Sequence, residues 1–262
     1  MRKKKKSGKN TSLAIIFLFL ILGTIALSFL VKVFFVVKSS RFGQGNNYSI
    51  FIKNKENNKI LTFDKNRNSI TLLSIQGRVD NIYKFAEVPL DSTSEGESID
   101  FSSSPFQIIL DAAFRVGNKN SNLNAFDAIR MLLMARLISP GNVFEKEISK
   151  GYPETQRDGI SVPIFSDTQI EKEREEIEVV NGTEESGVGN RYARLISNMG
   201  GSVVLVSTGT GSRESVIYSE KNSYTAKRLS QVLNFPIVKG KMSKFAEITV
   251  VIGDNHNKLS KY

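Results

Sequence analysis

The sequence predicts an α/β protein made of an N-terminal transmembrane helix, a mixed α+β region and a C-terminal two-layer β-α-β-β-α-β domain. Three observations lead to this prediction: a long uncharged apolar run near the start, short strand-like runs followed by helical spacing, and regular strand–helix alternation after residue 177. The predicted segments are a basic tail at 1–12, the helix at 13–37, the α+β region at 42–165, a charged linker at 166–176, the α/β domain at 177–254 and a tail at 255–262.

The positive charge of the chain is concentrated at its N-terminus. The 262 residues carry 36 Lys+Arg and 26 Asp+Glu, a net charge of +10. Residues 1–41 contain nine of the basic side chains and no acidic one, so the remaining 221 residues have a net charge of only +1. A surface that follows nucleic-acid phosphates needs clustered basic groups, because its affinity comes largely from counterion release. The composition therefore predicts no nucleic-acid partner.

Residues 13–37 have the length and composition of a membrane span. Of these 25 residues 21 are apolar, and residues 13–31 carry no charge. A hydrocarbon core of about 30 Å requires about 20 helical residues. The basic residues at 2–6 and 9 place the N-terminus in the cytoplasm by the positive-inside rule, and residues after about 38 outside it. We therefore expect a single-pass protein of the cell membrane whose helix contacts lipid.

A cleaved signal peptide is the alternative for this segment, with Ala26 and Ser28 as a weak cleavage signal. The apolar run continues for nine residues beyond that point, which favours an uncleaved anchor. The chain has no cysteine, so an exported body gains no disulfide and no Cys-ligated zinc site. Its single histidine, His256, is predicted to be solvated in the C-terminal tail, so no Ser-His-Asp triad is expected.

The region from 42 to 165 begins with strand patterns and continues with helical ones. Strands are predicted at 48–52, 59–63 and 69–75, the last two forming a hairpin, and the Ser-rich acidic segment 91–104 is predicted as a loop. Helices are predicted over 105–116 and from a cap at Asn122 or Asn124 to about residue 138. The second helix places one set of apolar side chains on a common face, predicted to be its core face: Leu123, Phe126, Ile129, Leu133 and Leu137.

The region from 177 to 254 alternates between strands and helices. Strands are predicted at 177–180, 202–207, 215–218 and 248–252, with the strand at 202–207 buried, and helices at 188–199 and 223–233. Gly-rich loops at 181–189 and 208–212 match neither GxGxxG nor GxxxxGK[ST], and Glu184 with Glu185 would repel an anion. These loops are therefore interpreted as tight turns rather than nucleotide sites.

Residues 177–254 resemble the C-terminal domain of LytR–CpsA–Psr envelope proteins. The residues that carry the resemblance lie in the expected order along the chain: EVVNGT at 178–183, SGVG at 186–189, GGSVVLV at 200–206, ESVIY at 214–218 and ITVVIGD at 248–254. This resemblance implies a location in the bacterial cell envelope. It does not identify a ligand.

Upstream, residues 59–78 faintly resemble the start of the same family's phosphotransferase domain. The family's Ser-Ile-Pro-Arg-Asp motif corresponds here to LSIQGRVD at 73–80, in which Ser74 and Ile75 match and the arginine is displaced to Arg78. A family aspartate that helps to hold a divalent metal would fall near Asn58, where no Asp is present. In such an enzyme Mg²⁺ and convergent arginines neutralise the pyrophosphate of a polyprenyl carrier.

These departures predict a protein that binds rather than catalyses. We expect a non-enzymatic binding or scaffold protein in cell-wall or glycopolymer assembly, with no resident cofactor or metal and with peptidoglycan, a wall glycopolymer or an envelope protein as partner. The alternative is an Mg²⁺-dependent glycopolymer phosphotransferase acting on a polyprenyl-pyrophosphate-linked substrate. Its candidate catalytic residues are Arg78, Asp80, Arg130 and Arg136, the last two of which otherwise form the solvated flank of a helix.

Overall fold

A computed structural model of the chain describes residues 8–53, 58–77, 85–95, 106–107, 109–110 and 122–261. The chain divides into two units, Met1–Ser40 and Arg41–Tyr262. The first contains helix α1, Gly8–Lys38, in which Leu13–Lys38 has a mean hydropathy of 2.8 and no buried part. A helix of this length that is apolar on every side fits a membrane anchor.

The second unit begins with a five-stranded mixed sheet in the order β4-β1-β2-β3-β5. Strands β1, β2 and β3 form an antiparallel meander, as the sequence pattern predicts, whereas β4 runs parallel to β1 and β5 parallel to β3. The strands are β1 Asn47–Lys53, β2 Asn58–Asp64, β3 Ser69–Gln76, β4 Ser92–Glu95 and β5 Val143–Ser149.

Helices cover both faces of this sheet. Helix α2, Ala125–Ala135, packs on one face through Ala128, Met131 and Ala135, and its N-terminus is capped by the side chain of Asn124. Helix α3, Glu154–Phe165, contributes Ile164 and Phe165 to the core on the other face. The sheet is therefore the middle layer between two apolar cores.

The predicted core face of α2 is wrong. Leu123 is buried and Phe126 half-buried, but Ile129, Leu133 and Leu137 are exposed. This helix has apolar residues on two opposite faces, and the face that contains Ala128 and Ala135 packs on the sheet. Small side chains allow the helix backbone to approach the strands closely, which the apolar pattern alone does not reveal.

The segment around residues 91–116 also departs from the prediction. Ser92–Glu95 forms β4 rather than a loop, because its backbone pairs with β1 while Asp91, Ser92 and Ser94 are buried. Of the helix predicted over 105–116 the structure describes only residues 106–107 and 109–110, which are helical, with Ile109 buried in the core. The rest of that prediction lies outside the described residues.

A second five-stranded sheet has the order β7-β6-β10-β8-β9 and carries two helices on one face. Helices α5, Val188–Asn198, and α6, Tyr224–Leu233, provide that layer, which confirms the predicted two-layer fold. Strand β9 is three exposed residues long and is not predicted from the sequence. The strands are β6 Glu176–Asn181, β7 Ser202–Thr208, β8 Val216–Ser219, β9 Ile237–Lys239 and β10 Ile248–Ile252.

Strand β7 is at the edge of this sheet, and the prediction that it is buried is wrong. Its register against β6 shifts between Ile177 and Glu178, so Val204 forms a bulge and is 47% exposed. A run of valine and leucine does not distinguish a central strand from an edge strand, because both satisfy the same β-propensity.

The charged segment at 166–176 contains a short helix, α4, Thr168–Glu173. Asp167 is buried, caps this helix through the backbone N–H of Gln169, and accepts a 2.5 Å hydrogen bond from the hydroxyl of Tyr224. The segment therefore contacts α6 through specific polar groups.

His256 is buried rather than solvated, so this prediction is wrong. Its ring is 8% exposed, lies edge-on to Tyr192, and has Nδ1 3.0 Å from the carbonyl oxygen of Gly253. The tail forms a 3₁₀ helix, Asp254–Lys261, that folds back onto α5, where the hydroxyl of Tyr192 donates to the carbonyl of His256.

Candidate functional site

A polar cleft lies on the first sheet where β2, β3 and β5 adjoin. Its volume is about 420 Å³. The cleft includes Ser74 and Ile75, the two residues that match the phosphotransferase motif. Its lining consists of Lys59, Ser74, Ile75, Gln76, Glu145, Lys146 and Glu147.

Strand register brings these side chains together. Ser74 pairs with Lys59 of β2 on one side and with Glu147 of β5 on the other, so these three side chains share one face of the sheet. Leu72, two residues earlier on β3, belongs to the core under α2. The cleft is therefore the continuation of the α2-covered face toward the end of β3, where polar residues replace apolar ones.

The cleft has balanced charge. Lys59 and Lys146 oppose Glu145 and Glu147, and Ser74 and Gln76 add neutral donors and acceptors. A pyrophosphate requires a surplus of positive charge from arginine, lysine or metal. A sugar, whose hydroxyls both donate and accept hydrogen bonds, matches this mixture of groups better.

The structure describes two of the four candidate catalytic residues, Arg130 and Arg136. Arg78 and Asp80 lie outside the described residues, because the described segment that contains β3 ends at Gly77. Arg130 is exposed, and its guanidinium lies 5.8 Å from the ring centre of Phe42 and 5.7 Å from that of Phe126. Arg136 is the exposed C-cap of α2. Neither Arg130 nor Arg136 lines the cleft.

The resemblance places a family aspartate near residues 56–58. The one of these residues that the structure describes, Asn58, is an amide buried in β2. Among the residues that the structure describes, no group of three or more His, Asp and Glu side chains could hold a metal ion. Mg²⁺ prefers carboxylate oxygens, and an amide at position 58 supplies no charge to hold it.

A buried ion pair joins the two sheets, and the sequence analysis did not find it. Asp91 and Arg228 pair in bidentate fashion, with Oδ1–Nη1 and Oδ2–Nη2 distances of 2.6 and 3.0 Å. Both side chains are almost fully buried. Asp91 also accepts from the backbone N–H of Ser49, and Arg228 donates to the carbonyl of Asn47. The two partners are 137 residues apart, so no local pattern links them.

A second cluster between the sheets contains a carboxyl group with a perturbed pKa. Arg194 of α5 contacts Glu87 at 3.2 Å, Glu154 at 2.5 Å and Asp158 at 2.9 Å. Burial raises the pKa of Glu87 from 4.5 to about 7, although Arg194 opposes the shift. The carboxylate form of Glu87 is therefore disfavoured in the folded protein.

This shift predicts a pH-dependent contribution to stability. Because the folded-state pKa of Glu87 is above its unfolded value, its contribution is fully present below about pH 4.5 and is lost as pH rises through about 7. We expect the melting temperature of Glu87→Gln, relative to wild type, to increase between pH 5 and pH 8. Glu220→Gln, at an exposed position, is the control. A difference between Glu87→Gln and wild type that does not vary with pH would contradict the assignment.

Comparison with known proteins assigns the C-terminal part of the chain. Residues 175–256 match the family described as LytR cell envelope-related transcriptional attenuator. The chain therefore carries a LytR C-terminal domain, which confirms the resemblance in residues 177–254. The match does not extend to residues 42–165, where the phosphotransferase resemblance stays a prediction.

Several solved structures are weakly similar at 11% sequence identity. "TagT bound to LIIa-WTA" has a TM-score of 0.20 and covers 74% of this chain and 93% of its own. The structure of B. subtilis TagT has a TM-score of 0.18 and covers 82% of this chain and 87% of its own. The Lin1025 protein of Listeria innocua has a TM-score of 0.17 and covers 83% of this chain and 95% of its own. TM-scores this low support no conclusion about the fold or the ligand of this chain. No curated protein matches the sequence.

Proposed function

We propose that this protein is a membrane-anchored, non-enzymatic binding or scaffold protein that acts outside the cytoplasm in the assembly of the cell wall or its glycopolymers. The LytR C-terminal domain and the membrane-length helix α1 support the location. The polar, charge-balanced cleft at Ser74 carries the proposal of binding rather than phosphoryl transfer. Peptidoglycan or a wall glycopolymer is the expected ligand.

The cleft offers the groups that bind carbohydrate. Glu145 and Glu147 accept hydrogen bonds from hydroxyls, Lys59 donates, and the Gln76 amide does both. The opposing charges leave little attraction for a free anion, so affinity for a glycan would depend on directed hydrogen bonds.

The test is co-sedimentation of the full chain, held in detergent micelles, with purified cell walls. The variant Gln76→Ala/Glu147→Ala removes two hydrogen-bonding groups from the cleft without disturbing the core, because both side chains are exposed. Since each lost hydrogen bond is worth about 1 kcal/mol and 1.4 kcal/mol is tenfold, we expect binding to weaken by roughly tenfold or more.

The matched control is Glu220→Ala/Lys227→Ala, which removes two exposed side chains that do not line the cleft. This control should bind as wild type does. The proposal fails if the wild-type chain does not sediment with walls, or if the cleft variant binds as strongly as the control.

A phosphotransferase is the second candidate, favoured by one observation. Ser74 and Ile75, which match the family motif, line the cleft, and Arg78 follows Gln76 by two residues. This alternative expects Mg²⁺-dependent release of the polyprenyl carrier that is lost in Arg78→Ala. The described residues offer no three-ligand metal group to support it.

A further inference from the structure

The apolar face of α2 that points away from the sheet is unusually exposed. Ile129 and Leu133 of α2 are 54% and 63% exposed, and Leu137, in the turn that directly follows α2, is 77% exposed. Phe126 lies one turn before Ile129 and is half-buried. We call these four residues the outer stripe. Single exposed apolar residues are ordinary, but a contiguous row along a helix marks an interaction surface.

Basic side chains flank the outer stripe on both sides. Successive residues of a helix rotate by about 100°, which places Arg130 about 40° to one side of Phe126 and Arg136 about 80° to the other side. Ile129, Leu133 and Leu137 lie between these two arginines on the helical surface. An apolar stripe with arginines at its borders is the arrangement of a helix that lies in a membrane interface.

The first turn of α2 is fixed to the beginning of its own unit. The carboxylate of Asp127, in that turn, accepts hydrogen bonds from the backbone N–H groups of Arg41 at 3.0 Å and Phe42 at 3.2 Å. The opposite face of the helix packs on the sheet through Ala128, Met131 and Ala135. The outer stripe is therefore carried on a helix that the fold holds in place.

We propose that the outer stripe lies in the headgroup region of a lipid bilayer, with Arg130 and Arg136 bound to lipid phosphates. Ile129, Leu133 and Leu137 reach the boundary of the acyl chains, and the guanidinium groups remain at the headgroups. This proposal rests on the proposed membrane anchor.

Lipid is favoured over a protein partner by charge and by the combination of groups on this surface. The surface carries two exposed cations with an apolar row between them. A bilayer supplies both an apolar layer and phosphate groups at the matching depth. A second copy of the chain would instead bring two more arginines against the same face, because a symmetric contact repeats the patch.

The absence of cysteine makes the depth of single positions measurable. The full chain is reconstituted in vesicles of phosphatidylethanolamine and phosphatidylglycerol, with a nitroxide label at Leu133→Cys. Labels at Ile21→Cys in α1 and at exposed Lys227→Cys on α6 serve as the anchor reference and the aqueous control. The measurement is the accessibility of each label to oxygen, which concentrates in lipid, relative to a water-soluble nickel chelate.

We expect the oxygen-to-nickel ratio at position 133 to exceed that at 227 several-fold, and to fall when Arg130→Glu and Arg136→Glu are combined with the label. An aqueous ratio at 133 together with a lipid ratio at 21 overturns the proposal and leaves the anchor intact. An aqueous ratio at 21 overturns the anchor and this proposal with it. Spin–spin broadening at 133 that disappears on dilution with unlabelled chain assigns the stripe to a second copy and also overturns the proposal.

Discussion

Replacing Arg228 with methionine is expected to lower the free energy of unfolding by about 3–5 kcal/mol. The substitution leaves the buried carboxylate of Asp91 without its bidentate partner, and the carbonyl of Asn47 loses a donor. An unpaired buried charge pays its full desolvation cost, so the penalty exceeds the net worth of the ion pair. Asp91 directly precedes β4 of the first sheet, and Arg228 lies in α6, which covers the second sheet, so the loss should weaken the packing between the two layers.

Thermal unfolding of the full chain in a mild detergent measures this effect. For a body of about 220 residues, 3–5 kcal/mol corresponds to a fall in Tm of roughly 6–20 °C. Lys227→Met, the exposed neighbour on α6, should leave Tm nearly unchanged. Adding Asp91→Leu to Arg228→Met should restore part of the loss by removing the unpaired charge. A fall in Tm no larger than that of Lys227→Met would disprove the role of the pair.

Replacing Gly253 with alanine is expected to destabilise the LytR C-terminal domain by about 3 kcal/mol or more, at the upper end of overpacking costs. A Cβ at this position would lie 2.6 Å from the carbonyl oxygen and 2.7 Å from the nitrogen of Glu214. These are backbone atoms two residues before β8, so the clash cannot be relieved by a rotamer change. The adjacent hydrogen bond from the Gly253 N–H to the Ser215 hydroxyl, 3.0 Å, would be strained as well.

Gly211→Ala is the matched control, because a Cβ there has no atom within 4 Å. It should change the free energy of unfolding by no more than about 0.5 kcal/mol. The two variants are compared by the same thermal unfolding of the full chain. Equal melting temperatures would show that the close approach at Gly253 has no energetic consequence.

Periodicity predicted the local elements because each depends on neighbouring residues. The meander of β1, β2 and β3 follows from apolar runs separated by a polar turn at 64–68. In α5 the predicted core residues Val188, Tyr192, Leu195, Ile196 and Met199 are all buried, because only one face of that helix is apolar. Helix α2 has two apolar faces, and its sequence alone does not decide which one meets the sheet.

Long-range contacts account for what the sequence did not predict. Strand β4 is polar and forms only because β1 offers its backbone edge. His256 is buried because the 3₁₀ helix returns to Tyr192, 64 residues earlier. The cleft depends on the parallel pairing of β3 with β5, whose residues lie about 70 positions further along the chain. The motif therefore drew attention to Ser74, whereas no sequence pattern indicated that Glu145 and Glu147 line the same cleft.

The most direct test of a binding rather than a catalytic role measures retention and turnover in one experiment. The full chain in micelles is incubated with Mg²⁺, cell walls and a polyprenyl-pyrophosphate-linked glycopolymer. The account predicts that the chain is retained on the walls, that retention falls in Gln76→Ala/Glu147→Ala, and that no polyprenyl carrier is released above the protein-free rate. Mg²⁺-dependent release of the carrier that disappears in Arg78→Ala would contradict the account and establish the phosphotransferase.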